Sequence, residues 1–176
     1  MTFQNADTKD FFDIRQFYWD ISDDIQKNNH ENKNLGWEKG VYPSDKFIKN
    51  SLAAGELYTL TENGVLCACV ILNSEYNDGY NGCAWSMDCT PDEILVPHAL
   101  AVNPKLQGKG IGKTVVKNIL NIAKAENKKT VRLDVLSSCK AAERLYLGCG
   151  FRFVEAKEIY YEDTGLTEYK MFELIL

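Results

Sequence analysis

Three glycines at alternate positions, Gly108, Gly110 and Gly112, lie in the segment LAVNPKLQGKGIGK at residues 100–113. A strand-like apolar run enters this segment and a helix-like run leaves it. Glycine lets a backbone curl tightly and come close to a ligand. The first turn of the following helix leaves N–H groups unpaired and carries the positive end of its dipole, so it attracts anions. Lys109 and Lys113 add positive charge. The chemistry that fits is binding of a phosphate or pyrophosphate. Two familiar phosphate loops fail on spacing. G-x-x-x-x-G-K-[ST] ends correctly at Gly112-Lys113-Thr114 but meets Gln107 where its first glycine belongs. G-x-G-x-x-G meets Lys113 or Val115 at its last position. A glycine-rich helix start with no ligand is the plain structural alternative. What remains is Gln-x-x-Gly-x-Gly, at Gln107, Gly110 and Gly112.

The elements around this loop follow from hydrophobic spacing. Val116, Ile119, Leu120 and Ala123 predict an amphipathic helix over residues 112–126. Residues 94–102 read as a strand interrupted by Pro97, and residues 130–135 as another. Ser138 is positioned to cap a short helix that carries Ala142, Leu145 and Tyr146 inward and is stopped by Gly148 and Gly150. Residues 151–156 and 168–176 are the final strands; the latter could pair within one copy or across a dimer. Upstream, Phe11, Ile14, Phe17, Tyr18, Ile21 and Ile25 predict a helix over residues 7–26. Residues 28–34 read as a loop, and Ser44 caps a second helix that ends at Gly55. Residues 56–61 and 65–72 form a hairpin around Asn63-Gly64. A polar stretch at 73–91, with Tyr76, Tyr80 and Trp85, is long enough to suggest a functional loop. Strands and helices alternating after a hairpin predict an α/β (α+β) mixed sheet with helices packed on it.

With its elements in place, the loop resembles the acetyl-CoA pyrophosphate loop of the GNAT family of N-acetyltransferases. A later family pattern, Asn-x-x-Ala-x-x-x-Tyr-x-x-x-Gly-Phe, is met by Ala142, Tyr146, Gly150 and Phe151, with Cys139 in place of the asparagine. Val131 to Val135 is similar to the family's strand before that helix. The arrangement of Trp37, Tyr42-Pro43 and the first hairpin strand also looks like a subgroup of bacterial GNAT proteins. The resemblance implies a central, mostly antiparallel sheet with a splayed parallel strand pair, flanked by helices, in one domain over residues 1–176 with a cofactor-binding core at about 94–155. It implies that acetyl-CoA is held by Leu100, Ala101, Val102, Gln107, Gly108, Lys109, Gly110, Ile111, Gly112, Lys113, Cys139, Ala142 and Tyr146. It places Tyr146 beside the sulfur as general acid. His98 is a candidate base because its ordinary pKa is near neutrality, although a structural histidine is the commoner case. Glu75 and Glu93 are carboxylate alternatives. Trp37, Tyr42, Glu75 and Trp85 are candidates for the acceptor pocket. A thiol bonds the pantetheine arm less well than an amide does. Cys139 near a helix start could instead be a reactive thiol of lowered pKa, with a buried inert cysteine as the alternative.

Composition bounds what else the chain can be. Of 176 residues, 45% are hydrophobic and 26% charged, a globular balance that leaves no case for disorder. The longest apolar run, residues 65–72, is far short of the roughly 20 that a membrane span needs, and no secretory leader is read at residues 1–10. A net charge of −5 with no basic block makes nucleic acid a poor partner. Six cysteines without a C-x-x-C pair, and only two histidines, do not make a metal site. A reduced, cytoplasmic protein is expected. The leading expectation is an N-acetyltransferase acting on a primary amine of a small molecule or protein, the acidic balance hinting at a cationic amine. A non-catalytic acyl-CoA sensor of the same fold is the alternative. An NTPase is suggested only by Gly112-Lys113-Thr114, and its would-be metal strand, ending in Asp134, is interrupted by Arg132.

Overall fold

A computed structural model describes residues 1–28 and 36–176. The predicted loop at 28–34 lies almost entirely outside the described residues, as does His30.

The elements run β1 (Thr2–Asn5), α1 (Phe11–Asn28), α2 (Asp45–Ala53), β2 (Leu57–Glu62), β3 (Val65–Asn73), β4 (Ile94–Val102), α3 (Ile111–Ala125), β5 (Thr130–Leu136), α4 (Lys140–Leu147), β6 (Arg152–Tyr161) and β7 (Gly165–Ile175). They build one seven-stranded sheet in the order β1-β2-β3-β4-β5-β7-β6. All neighbours are antiparallel except β4 and β5. Helices cover both faces. On one, α3 buries Ile111, Val115, Val116, Ile119 and Ala123; each of the larger side chains stabilises by about 1.5–3 kcal/mol. On the other, α1 and α2 bury Ile14, Tyr18, Ile21, Ile48 and Leu52. Cover on both faces explains the uninterrupted apolar run of β3. Cys67, Val70 and Leu72 join the first core, while Cys69 and Ile71 join the second.

Most predicted elements form where their signals stand. Ser44 accepts from the Phe47 amide and starts α2. Asn63 and Gly64 both take positive φ, 49° and 76°, as the two-residue hairpin turn requires. The structure also departs from the sequence reading. β1 carries no strong pattern because it is a short edge strand, exposed along most of its length. The N-cap of α4 is Cys139, not Ser138. β6 runs on past its predicted end to Tyr161 and β7 begins earlier than predicted, at Gly165, so the two form a long hairpin, and β7 lies inside the chain's own sheet between β5 and β6. Of the stretch at 73–91, Asn73 ends β3 and residues 74–91 contain no strand; their only regular pieces are single turns such as Asp78–Tyr80.

A buried ion cluster pins that segment. Glu173, 0% exposed, accepts from Arg132 Nε at 3.0 Å, Arg152 Nη2 at 2.8 Å and the Ser86 amide at 2.8 Å. Arg132 Nη2 donates to the Met87 carbonyl at 2.6 Å, and its guanidinium lies 4.6 Å over the Trp85 ring. Burial pushes the Glu173 carboxyl up, but these donors outweigh it and hold it below its ordinary value.

Candidate active site

The parallel pair is short. β4 and β5 share only Ile94↔Thr130 and Leu95↔Val131 before they part. Pro97 follows at the point of divergence. Past it, β4 keeps its bonds to β3 on one side and presents an open edge on the other. Cys69 pairs with Ala101 and Ile71 with His98, so Ala99 and Leu100 bulge together opposite Val70. Ala99 takes φ of 48°, a left-handed conformation that strains a residue with a β-carbon. Its carbonyl is held by the buried Tyr18 hydroxyl at 2.9 Å. The first helix therefore fixes the strained corner of the central strand.

Two cavities flank this corner. The first, a groove of about 650 Å³, runs between the end of β4, the glycine loop and α4. Leu100, Ala101, Val102, Gln107, Gly108, Gly110, Ile111, Gly112 and Lys113 line it, with Cys139 and Ala142 opposite. Gly108 and Gly110 take φ of 79° and 80°, and a β-carbon on either would meet no atom within 4 Å, so the space above the loop is open. The first backbone bond of α3 runs from Thr114 to Gly110, which leaves the amides of Ile111, Gly112 and Lys113 as its open first turn. Gly112 has a second role, because a β-carbon there would meet Leu145 at 3.1 Å. Its smallness brings α3 and α4 together. Unpaired amides, an adjacent lysine and an open cradle are the donor set that a pyrophosphate fits. Lys109 is exposed on the same turn but does not line the groove.

The second cavity, about 130 Å³, fills the splay between β4 and β5. It joins the groove at Leu100, Cys139 and Ala142, which line both. Asp134 projects into it from β5 and accepts a short hydrogen bond from the Tyr161 hydroxyl on Oδ2. Burial raises the Asp134 carboxyl to about 6, against the Tyr161 bond that lowers it. Asp163, in the β6–β7 turn, also lines the cavity and is raised by burial and by Glu162 and Glu38. Tyr146, expected among the cofactor contacts, lines this cavity and not the groove. Burial holds its hydroxyl protonated far above neutrality, and its ring packs edge-on against Phe151. Tyr169 is pushed up to about 12 by burial and shares a 2.7 Å hydrogen bond with Thr164.

The residues singled out in the sequence divide between these places. Trp37, Tyr42, His98 and Tyr146 line the splay cavity. His98 is pressed down to about 4 by burial, and its Nε2 bonds Asn73 Oδ1 at 2.9 Å. It is a neutral ring already engaged. Two acceptor-pocket candidates are elsewhere. Glu75 is exposed and outside the cavity, while Trp85 is held behind Tyr80, to whose carbonyl its Nε1 donates at 2.9 Å. Glu93 sits at the opposite end of β4 in an ion pair with Lys129. The amides of Ala141 and Ala142 pull the Cys139 thiol down, as expected of a helix start, but burial is larger and its net pKa is raised. Asp134, Tyr161 and Asp163 were not singled out as site residues. A carboxylate within the apolar strand of residues 130–136 was the available signal.

A model of the Acetyltransferase (GNAT) family matches residues 11–151. The chain belongs to the GNAT family. It is 33% identical over 93 residues to the N-alpha-acetyltransferase RimI of Mycobacterium tuberculosis, a match covering 53% of this chain and 56% of that relative. The chain thus spans about half the length of the curated relative it matches. Among solved structures, a GNAT acetyltransferase from Streptococcus agalactiae superposes with a TM-score of 0.80 at 15% identity, over 99% of this chain and 95% of that one. The yncA acetyltransferase of Salmonella typhimurium, solved with its cofactor acetyl-CoA, gives 0.66 at 19% identity, over 100% and 94%. Both show the same fold. Among the described residues of this GNAT chain, no helix is long and apolar enough to cross a membrane, and no group of three or more His, Cys, Asp or Glu could hold a metal.

Proposed function

We propose that this GNAT protein transfers an acetyl group from acetyl-CoA to a primary amine by direct attack, with Asp134 as general base and Tyr146 as general acid. The family uses acetyl-CoA as its acyl donor. The observation that carries the reading is the junction: a groove bordered by open helix amides meets a small tyrosine-lined cavity at Leu100, Cys139 and Ala142, with a carboxylate of raised pKa on the cavity side.

The chain's residues divide the work. The open amides of Ile111, Gly112 and Lys113, with the Lys113 side chain, hold the pyrophosphate. The free edge of β4 at Leu100, Ala101 and Val102 pairs with the pantetheine arm as an added strand would. Bound acetyl-CoA supplies a thioester carbonyl at the junction. An amine attacks only when neutral, so its ammonium must first lose a proton. Asp134, ionised above about pH 6, takes that proton, while the Tyr161 hydroxyl orients it. The carbon–nitrogen bond then forms and the carbon–sulfur bond breaks. Tyr146 gives its proton to the departing sulfur and is restored by the second proton of the acylated nitrogen. His98, neutral and bonded to Asn73, shapes the wall instead of moving the proton.

The test is calorimetric titration with acetyl-CoA, with ATP·Mg as comparator, followed by thiol release in the presence of amines. Acetyl-CoA binding together with amine-dependent thiol release supports the reading. Binding without release from any amine leaves a sensor; no binding removes the cofactor.

A further inference from the structure

The splay cavity has a charge imbalance that one amine does not satisfy. Among the described residues, its lining holds two carboxylates, Asp134 and Asp163, and no lysine or arginine. The nearest strong cation in sequence, Arg132, is committed to Glu173 and Met87 beneath Trp85. Glu38 and Glu162 act on Asp163 from outside, so the approach is acidic as well. The rest of the lining is aromatic and neutral, with the rings of Tyr42, Tyr76, Tyr80 and Tyr161 around a space of about 130 Å³. Aromatic faces favour ammonium groups. A volume this small takes the end of a slender molecule.

We propose that the acceptor is a small dication of the diamine class, its reacting ammonium against Asp134 and its second ammonium against Asp163. This rests on the transferase reading above. Asp134 removes one proton from the reacting nitrogen, the carbon–nitrogen bond forms and the carbon–sulfur bond breaks; Tyr146 protonates the sulfur and regains its proton from the acylated nitrogen. The product amide has lost one positive charge and keeps the other. Asp163 meets a cation before and after transfer, which makes it a specificity residue rather than a catalytic one. A monoamine, or a peptide with only its N-terminal charge, leaves that carboxylate unpaired in a poorly hydrated site.

The experiment compares 1,4-diaminobutane with n-butylamine, which share a chain length and differ in one charge, and with an Ala-terminated peptide that carries no other cation. The expected kcat/KM ratio of diamine to monoamine is roughly ten- to hundredfold, as one charge-assisted contact supplies. Asp163→Asn should collapse that ratio to near one by raising the diamine's KM, with kcat little moved. Asp163→Glu, which restores the charge, should recover much of the ratio. Equal use of both amines, a peptide that outcompetes the diamine, or an Asp163→Asn effect confined to kcat overturns the inference while leaving transfer intact. If no amine is acetylated although acetyl-CoA binds, the transferase reading fails separately. Calorimetry of 1,4-diaminobutane with the CoA-loaded protein then decides the dication site alone: binding lost in Asp163→Asn supports it, and no binding to the unaltered protein overturns it.

Discussion

Replacing Asp134 by asparagine should change activity and stability in opposite directions. The carboxyl is raised from an ordinary 3.8 to about 6, chiefly by burial. Its folded form therefore binds a proton more tightly than its unfolded form. Between about pH 4 and pH 6 the native state holds the extra proton, so this group's contribution to stability falls as pH rises through that window and stays at its minimum above it. The difference from 3.8 to about 6 corresponds to a ceiling of about 3 kcal/mol at pH 8. Asparagine keeps an oxygen for the Tyr161 hydroxyl and carries no charge to desolvate. Asp134→Asn should thus raise stability at pH 8 by up to about 3 kcal/mol, several degrees in Tm, with the gain shrinking toward pH 4. It should also slow acetyl transfer about 10²–10⁴-fold, the usual worth of a general base. Urea denaturation at pH 4.5 and pH 8, alongside thiol-release kinetics, measures both. In the unaltered protein, kcat/KM for the acceptor should fall on the acid side with a midpoint near pH 6. A midpoint near 4, where His98 titrates, or an Asp134→Asn variant within about tenfold of full rate, would refute the assignment.

Three further outcomes are expected. Tyr146→Phe should lower kcat about 10²-fold or more while leaving the acetyl-CoA Kd unchanged in calorimetry. Gly110→Ala places a β-carbon at φ of 80°, a conformation costing of the order of 1 kcal/mol or more; acetyl-CoA binding should weaken about tenfold as the loop turns away. Arg132→Met leaves Glu173 fully buried with one arginine fewer, and urea denaturation should show a loss of about 3 kcal/mol, together with a change in Trp85 fluorescence.

The glycine loop and the elements around it were legible because their signals are local. A helix start, a two-residue turn and a 3.6-residue apolar period each depend on neighbours in sequence. The groove side of the site followed. Apart from Tyr146, which the resemblance supplies, the polar side of the splay cavity did not, because Asp134 and Asp163 come from β5 and the β6–β7 turn, and only the sheet order unites them. In the sequence Asp134 figures only as the end of a would-be metal strand; the splay gives it a cavity to face. His98 drew attention through its ordinary pKa, but burial between Phe47 and Asn73 removes that property. Glu75 and Trp85 lie in a segment whose course is dictated by the Arg132–Glu173 cluster, a contact 41 residues apart in the chain. No local rule reports such a tether.

The position of β7 has a consequence for when this protein becomes competent during its synthesis. β5, which carries Asp134, touches β4 through only two pairs; its seven-residue ladder is with β7. β7 follows β5 by about thirty residues in the chain, and the turn that supplies Asp163 comes just before it. Long-range pairing of this kind is slow to close. A chain that holds β1–β4, α3, the glycine loop and α4 can present the groove while the proposed proton acceptor is still unanchored. Pairing of residues 165–175 with β5 is the step that completes the proposed site, and a chain halted before it would hold the groove without an anchored Asp134.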